Sequence, residues 1–429
     1  VIASLYITND QLNKMVVTSI IYLLFSASIS PIAMVVGCIL TSSLSDWIGR
    51  KKSLVLLTVP FIIGWLIQGF SIHNSFVLVT RFITGFCFGS TRATSLCPLI
   101  TFFIGYLLIH VVGKFLYWRY TSFVFVVPTL IALLILVNFR ESPLWLLNKG
   151  KIEEGIESFE FYRGKGERQN SELTIILKRY QEKIKNPSYK TIFNIIYSKP
   201  FMKTLTASFL LCLAFQGCGV NIIPYYSEFI FQKTLSGDID AFLVTIISDC
   251  VRIIANIVLC VSAKLFSQNN TLICSGFVNC LMLAFMIIYL FFRPAQLSWL
   301  ACIFIIIHTA SGAILANVSY SFISEIYPGQ IRVLGVGLCV AFIGITNFIA
   351  VKITPGIVID YGVIALYSIF AAVTLVSCTI VVFMMPDTKD RTLQDLEDSL
   401  YNRSKVNVND NTTTVTRTDT KRIIFQSHL

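Results

Sequence analysis

The chain is dominated by apolar runs long enough to cross a membrane. Of its 429 residues, 55% are hydrophobic and only 13% are charged, whereas soluble globular proteins carry about 25% charged residues. A helix of about 20 apolar residues spans the hydrocarbon core of a bilayer. Runs near this length recur from one end of the chain to the other, which excludes a soluble enzyme and predicts an all-α polytopic membrane protein in a lipid bilayer. The eleven predicted spans are residues 16–44, 54–72, 76–89, 94–116, 122–137, 205–231, 243–266, 272–292, 297–323, 334–353 and 363–385.

Positive charge is concentrated in alternate loops. Of the 34 Lys and Arg residues, thirteen lie in residues 140–203 and seven follow residue 385. An excess of Lys and Arg in every other loop marks the cytoplasmic side of a membrane protein. The net charge of +11 therefore indicates membrane orientation rather than a nucleic-acid partner, and it places residues 140–203 and the C-terminus in the cytoplasm.

The charged segment also divides the spans into five before it and six after it. We predict an incomplete N-terminal transmembrane bundle at 1–139, a cytoplasmic linker at 140–203, a six-helix C-terminal bundle at 204–386 and a mostly disordered cytoplasmic tail at 387–429. Within the linker, the sequences that begin at Lys151 and Leu173 could form short amphipathic helices; a plain solvated linker is the alternative. The run 76–89 is about 21 Å long as a helix, which is too short to cross a bilayer unaided.

Charged residues at the ends of the early spans form two compact motifs. In DWIGRKK, residues 46–52, Gly49 permits a tight turn. Asp46 can cap the following helix or pair with an Arg of a neighbouring helix, and Arg50 follows the turn. Glu141 opens the linker in RESPLWL, residues 140–146. The first motif could also be no more than a positively charged turn on the cytoplasmic side.

The most informative polar stretch inside a span is FQGCGVNIIPYYS, residues 215–227. Its two glycines and Pro224 predict a broken helix, which membranes tolerate where the backbone lines a cavity. Gln216 and Asn221 offer amide donors and acceptors suited to sugar hydroxyls, and Tyr225 and Tyr226 add hydroxyl-bearing rings. The alternative is that these side chains only pack helices together.

Two opposite charges lie inside a later span. Asp249 and Arg252 are three residues apart and therefore occupy neighbouring positions on one helix. A self-neutralising pair is one interpretation. The other is a proton or substrate relay, since ions within the membrane often mark function.

In their order along the chain, these motifs resemble those of the sugar porters of the major facilitator superfamily. The resemblance extends over residues 11–400 and is nearest to the insect facilitated trehalose transporter-like branch. RFITG at 81–85 resembles the start of that family's fourth helix, and 215–227 resembles a motif of its seventh. ANVSY at 316–320, EIYP at 325–328 and PDTKDRTLQDLE at 386–397 resemble later motifs.

This resemblance implies a major facilitator fold of two pseudo-symmetric helix bundles with a site between them. The fold here is predicted to lack the first helix, because the family's chain begins before Val1. It is also predicted to lack much of the fourth, because Gly89 is followed almost directly by Arg92. The implied function is facilitative transport of a sugar, trehalose or a hexose, by alternating access; the alternative is a non-transporting sugar sensor or an inactive truncated paralogue. The resemblance also implies a plasma-membrane location and a sugar as small-molecule partner. It implies no catalytic residue, cofactor, metal or obligate protein partner.

The resemblance carries two sets of functional residues onto this sequence. The implied substrate-binding residues are Gln216, Asn221, Tyr225, Tyr226, Asn317 and Tyr320. The implied gating charge network, in which Glu141 would pair with two arginines, consists of Asp46, Arg50, Arg92, Glu141, Glu325, Arg332 and Asp387. The sequence departs from the family pattern at Leu144, where an Arg is usual, and at Phe215, where a Gln is usual. One cation and one sugar-binding amide are therefore missing.

Overall fold

The regular structure is helical throughout the part of the chain that the structure, a computed structural model, describes. This part comprises residues 28–41, 44–94, 99–166, 169–177, 199–235, 239–262, 266–292, 297–327 and 332–384. Eight of its helices are long and apolar enough to cross a membrane, and three shorter helices are also apolar. These eleven helices lie within the eleven predicted spans or overlap them.

The first half contains five of the membrane-type helices and three short ones. They are α1 (Ser28–Ile48), α2 (Arg50–Phe70), α3 (Asn74–Thr94), α4 (Leu99–Phe115), α5 (Trp118–Asn138), α6 (Pro143–Asn148), α7 (Ile152–Arg163) and α8 (residues 169–177). The second half contains α9 (Lys199–Gly217), a 3-10 turn (Ile223–Tyr225), α10 (Ser227–Thr234), α11 (Ala241–Ser262), α12 (Gln268–Phe292), α13 (Ser298–Glu325), α14 (Arg332–Asp360) and α15 (Gly362–Met384).

Helix α3 is longer than the 14-residue span predicted at 76–89, although its apolar part, Ser75–Thr91, remains one of the three shorter apolar helices. It contains 21 residues, about 31 Å at 1.5 Å per residue. The polar residues taken as the end of the span continue the helix instead, because Ser90 Oγ donates to Phe86 O at 2.8 Å and Thr91 Oγ1 to Cys87 O at 2.8 Å. Each hydroxyl group donates to a carbonyl oxygen one turn earlier in the same helix and therefore needs no water. Such residues do not end a helix.

The helices form two groups that touch at several places. In the first group α2 packs against α3 and α5; in the second, α13 and α15 both pack against α12, and α9 packs against α13, α14 and α15. The groups meet where α4 packs against α11 and where α3 packs against α14. Helix α1 also reaches α14, because a Cβ on Gly344 would lie 2.5 Å from Val35 Cγ2. Any relative movement of the two groups must change these contacts.

The outer surface of helix α5 is apolar. Apolar side chains are exposed on much of its circumference, among them Leu130, Ile131, Leu134 and Ile135. Exposure of such a surface to water would be costly, whereas contact with lipid tails costs nothing comparable. This is the surface expected of a membrane-spanning helix.

Helices α6, α7 and α8 form a separate small unit after α5. Leu147, Phe159, Leu173 and Leu177 pack together in its core. The amphipathic helix predicted from Lys151 is confirmed as α7, and the predicted helix that begins at Leu173 is confirmed up to residue 177; the remainder of that prediction lies outside the described residues. The segment is therefore folded there rather than a plain solvated linker.

Candidate functional site

The predicted helix break is confirmed between α9 and α10. Helix α9 ends at Gly217, and Gly219 adopts φ +78° before the 3-10 turn. A Cβ on Gly217 would lie 2.5 Å from Val373 Cγ1, and one on Gly219 would lie 2.6 Å from Phe370 Cδ2. Both glycines are therefore required for α15 to pack this closely, and Gly219 also permits the left-handed backbone of the break.

Asn221 fixes the shape of the break. Its side chain is buried, and Nδ2 donates to the carbonyl oxygen of Phe215 at 2.9 Å. This carbonyl lies in the last turn of α9, where carbonyl groups lack a helical partner. The amide donor that was predicted to bind a sugar hydroxyl thus holds the end of the helix.

The middle of α13 packs against the same break. A Cβ on Gly312 would lie 2.2 Å from Val220 Cγ2, so the two elements touch at Gly312. Further along α13, the ring of Tyr320 lies 6.1 Å from the ring of Phe215, centroid to centroid. Both rings are buried, which brings the predicted residues of the seventh-helix motif and of α13 into one region.

Two buried amides in this region have unused hydrogen-bonding atoms. Nε2 of Gln216 and both Oδ1 and Nδ2 of Asn317 lack a protein partner in the described part of the structure. Gln216 is 4% exposed and Asn317 is 5% exposed. Because more than about 90% of buried polar groups in proteins have a partner, these atoms are suited to a bound hydroxylated molecule or water.

The two tyrosines differ in their roles. The hydroxyl of Tyr226 donates to Val351 O of α14 at 3.1 Å, so it connects the break to α14. Tyr225 is the more exposed of the two, and its hydroxyl accepts from Asn347 Nδ2 at 3.4 Å. Of the two rings, Tyr225 is the more accessible to a substrate.

Three residues of the predicted charge network, Asp46, Arg50 and Glu141, lie around the start of α2. The Glu141 carboxylate accepts from the backbone N–H of Lys51 at 2.8 Å and of Ser142 at 3.0 Å. Trp145 Nε1 donates to the carbonyl oxygen of Asp46 at 3.0 Å. Arg50 is exposed, and the predicted pair between Arg50 and Glu141 is not among the ion pairs of the described residues. Asp387 and the side chains of Arg92, Glu325 and Arg332 lie outside the description.

Sequence reasoning located one buried ion pair but missed its third member. Arg252 Nη1 donates to Asp249 Oδ1 at 2.6 Å, which confirms the predicted pair within α11. Nδ1 of His110, on α4, lies 2.5 Å from the other oxygen, Asp249 Oδ2. His110 thus joins the two helix groups. As a lone histidine in an apolar helix, it gave no signal by spacing.

A second polar cluster lies deeper between α12 and α13. Asn279 Nδ2 lies 3.0 Å from His308 Nδ1 and donates to His308 O at 3.2 Å. Nε2 of His308 and Oδ1 of Asn279 have no partner in the described structure. Within that same part of the chain, no group of three or more His, Cys, Asp or Glu side chains is placed to hold a metal ion.

Comparison with known proteins identifies the family. The profile of the family described as "Sugar (and other) transporter" matches residues 4–101 and 91–400. The chain belongs to this sugar transporter family. The two matched segments overlap at residues 91–101, where the sequence predicts a shortened fourth helix.

The relatives of this chain include insect proteins. It is 26% identical over 398 residues to the facilitated trehalose transporter Tret1 of Aedes aegypti, a match that covers 87% of this chain and 49% of that protein. It is 25% identical to Tret1 of Culex quinquefasciatus, with 87% and 77% covered. The chain thus spans about half the length of the Aedes relative and about three quarters of the Culex one.

Solved structures show the major facilitator fold. The proton:xylose symporter XylE bound to 6-bromo-6-deoxy-D-glucose matches with a TM-score of 0.74 and 21% identity, covering 88% of this chain and 89% of that chain. Inward open XylE from E. coli matches with a TM-score of 0.67 and 18% identity over the same shares. Together with the apolar helices, family and fold establish a multi-pass membrane protein.

Proposed function

We propose that this protein carries a sugar, trehalose or a hexose, across a membrane by facilitated alternating access. The two helix groups would rock about a site at the α9–α10 break. The unpaired amide atoms of Gln216 and Asn317 carry this proposal, because a sugar hydroxyl both donates and accepts hydrogen bonds and can satisfy them. The names of the insect relatives favour trehalose.

Tyr225 and Tyr320 complete the proposed site. Tyr225 is accessible, and Tyr320 packs on Phe215 within the same region. In place of the family's usual Gln, the side chain of Phe215 supplies an apolar face and no hydrogen bond. A sugar would therefore bind with fewer amide contacts than the family pattern provides.

The charged residues would act as a latch between the two states. Glu141 holds the small α6–α8 unit against the start of α2, so movement of α2 must either carry the unit with it or break this contact. We include Asp46, Arg50, Arg92, Glu325, Arg332 and Asp387 in the proposed network. The protein would lie in the plasma membrane with this unit and its C-terminus in the cytoplasm.

Uptake of labelled trehalose and glucose tests the proposal. The chain is displayed on cells beside Gln216→Ala, Asn317→Ala and the control Asn138→Ala, whose amide bonds only to its own helix at Leu134 O. We expect saturable uptake for the parent chain and the control, and a loss of about tenfold or more in the two site variants, which corresponds to about 1.4 kcal/mol of lost binding.

The other outcomes separate the alternatives. Binding of sugar to purified protein without uptake would identify a sensor rather than a transporter. Neither binding nor uptake, despite confirmed surface display, would identify an inactive paralogue. Uptake that survives both site variants unchanged would show that the sugar binds elsewhere.

A further inference from the structure

His110 is placed between two hydrogen-bond acceptors. Its Nδ1 lies 2.5 Å from Asp249 Oδ2, and its Nε2 lies 3.2 Å from the carbonyl oxygen of Pro224. Asp249 belongs to α11 and Pro224 to the helix break, whereas His110 belongs to α4. One imidazole ring therefore connects the first helix group to two elements of the second.

This geometry fixes the number of protons that the His110–Asp249 pair holds. A neutral imidazole has one N–H and can satisfy one acceptor, but both ring nitrogens here face oxygen atoms. A carbonyl oxygen cannot donate, so Nε2 must carry a hydrogen. The bond at Nδ1 then requires a second hydrogen, either on the ring or on the Asp249 carboxyl group. In both forms the pair holds one proton more than a neutral histidine and a carboxylate.

The charges nearby indicate where this proton lies. Arg252 donates to the other oxygen of Asp249 at 2.6 Å and is 2% exposed. A buried arginine stabilises the ionised carboxylate, which leaves the additional proton on His110. The Tyr106 ring stacks on the imidazole at 6.4 Å with an interplanar angle of 15°, a parallel arrangement in which the ring face is turned toward the cation.

We propose that His110 and Asp249 form a proton-binding site whose occupancy holds α4 against α11. Separation of the two helices would remove both acceptors from His110, and the ring would then release its proton. In the closed contact the protonated ring makes a charge-assisted bond, which is about twice as strong as a neutral one. Acid therefore favours the closed contact, and alkali favours its opening.

Other titratable groups lie on the elements around this site. Cys250 follows Asp249 on α11, and Tyr225 and Tyr226 follow Pro224 in the break. On α4 they are Tyr106 and Lys114, and Lys114 Nζ lies 3.9 Å from Glu228 on α10. The break and α13 contribute Cys218 and His308, which interact electrostatically with Arg252. Arg119 is the cation at the start of α5, which packs against α4.

Lys114–Glu228 is a second link between the groups, but it is solvent-exposed, with side chains 47% and 53% exposed. Exposed pairs contribute little. Of the two contacts, His110–Asp249 is the more buried, with side chains 19% and 1% exposed, and histidine is the residue type whose ordinary charge change falls between about pH 5 and pH 8.

Because only one proton is bound or released, the effect of pH on the ratio of closed to open states has an upper limit. A site that binds one proton when closed and none when open shifts the ratio of the two states by at most about tenfold per pH unit. Its effect on gating rests on the proposed transport function, whereas its effect on stability does not. The two consequences can therefore be measured separately.

Thermal unfolding of the purified full chain tests the proton site without any sugar. The melting temperature is compared at about pH 5.5 and about pH 8, which bracket the titration of an ordinary histidine. The variant is His110→Gln, which keeps a donor but cannot titrate. The matched control is His73→Gln, an exposed histidine between α2 and α3. His110→Asn replaces His110→Gln if the latter does not fold.

We expect the parent chain and His73→Gln to lose stability in parallel as pH rises, and His110→Gln to lose measurably less. An unaltered pH dependence in His110→Gln would overturn the proton site. Uptake measured over the same range should accelerate with pH in the parent chain and lose this dependence in His110→Gln. Uptake that keeps its pH profile in the variant would overturn the link to bundle movement. If no chain transports sugar, the unfolding data still decide the proton site.

Discussion

Substitution of Gly219 by alanine tests the packing of the helix break directly. Gly219 adopts φ +78°, and a Cβ there would lie 2.6 Å from Phe370 Cδ2 and 2.8 Å from its Cε2. Contacts this short do not occur in real structures, so the variant must move the Phe370 ring, the break or α15. Two separate costs result, one from the backbone and one from the crowding.

The backbone cost and the crowding cost of Gly219→Ala can be estimated separately. A non-glycine residue in the left-handed region costs about 1–2 kcal/mol. Overpacking of a well-filled core costs about 1–3 kcal/mol. Gly219→Ala should therefore lower the free energy of unfolding by roughly 2–5 kcal/mol, a large fraction of the 5–15 kcal/mol that is typical of folded proteins.

The assay is thermal unfolding of the purified protein beside Gly356→Ala. Gly356 lies within α14, its φ is not positive, and in the described structure no atom beyond its chain neighbours and its own helix backbone lies within 4 Å of the position of its Cβ. Alanine should be neutral or slightly stabilising there, because it favours a helix over glycine by about 1 kcal/mol. Equal melting temperatures for Gly219→Ala and Gly356→Ala would refute the role assigned to the break.

A double variant separates the two costs of Gly219→Ala. Phe370→Leu removes the ring that the new methyl group would meet, but it leaves the positive φ in place. In a double-mutant cycle we expect Phe370→Leu to recover the crowding part, about 1–3 kcal/mol, and to leave the backbone part. Purely additive effects would mean that the ring is not the obstacle.

Four further substitutions have expected outcomes. Glu141→Gln should lower stability by about 1–2 kcal/mol through weaker bonds to backbone amides, measured against Glu157→Gln, whose exposed ion pair should contribute under about 1 kcal/mol. Asn221→Ala should lower both melting temperature and uptake, because its amide holds the end of α9; an unchanged melting temperature would contradict this. Asn317→Ala should lower uptake without lowering the melting temperature, since its amide atoms have no partner to lose within the described ranges. Burial raises the pKa of Tyr162, so above the ordinary tyrosine value of about 10 the parent chain should lose stability that Tyr162→Phe retains, as alkaline unfolding would show.

The sequence was sufficient to predict the membrane fold and the position of the helix break. Apolar length and the Gly217–Gly219–Pro224 pattern act locally, so the chain reveals them without tertiary information. The predicted end of α3 at Gly89 was too early, because the polar residues Ser90 and Thr91 looked like a loop. Their hydroxyl groups donate to carbonyl oxygens of their own helix. A hydropathy value does not take such hydrogen bonds into account.

The candidate site was predictable in its residues but not in their roles. Gln216 and Asn221 both read as sugar-binding amides, since each has a donor and an acceptor. The structure separates them: the donor of Asn221 is occupied by Phe215 O, whereas the Gln216 donor has no partner among the residues that the structure describes. The backbone carbonyl nearest to each amide depends on how the chain turns after Gly219. Residue spacing in the sequence does not predict this turn.

The contact between His110 and Asp249 lay beyond sequence reasoning for a further reason. The two residues are 139 positions apart, and each has a sufficient local explanation: His110 as an occasional polar residue in an apolar helix, and Asp249 as the partner of Arg252. Nevertheless, a carboxylate has two oxygens and accepts several hydrogen bonds, so a single arginine bond leaves it incompletely satisfied when it is 1% exposed. That deficit is the signal the sequence did contain: a buried Asp–Arg pair requires a further donor, and in this chain the donor comes from the opposite helix group.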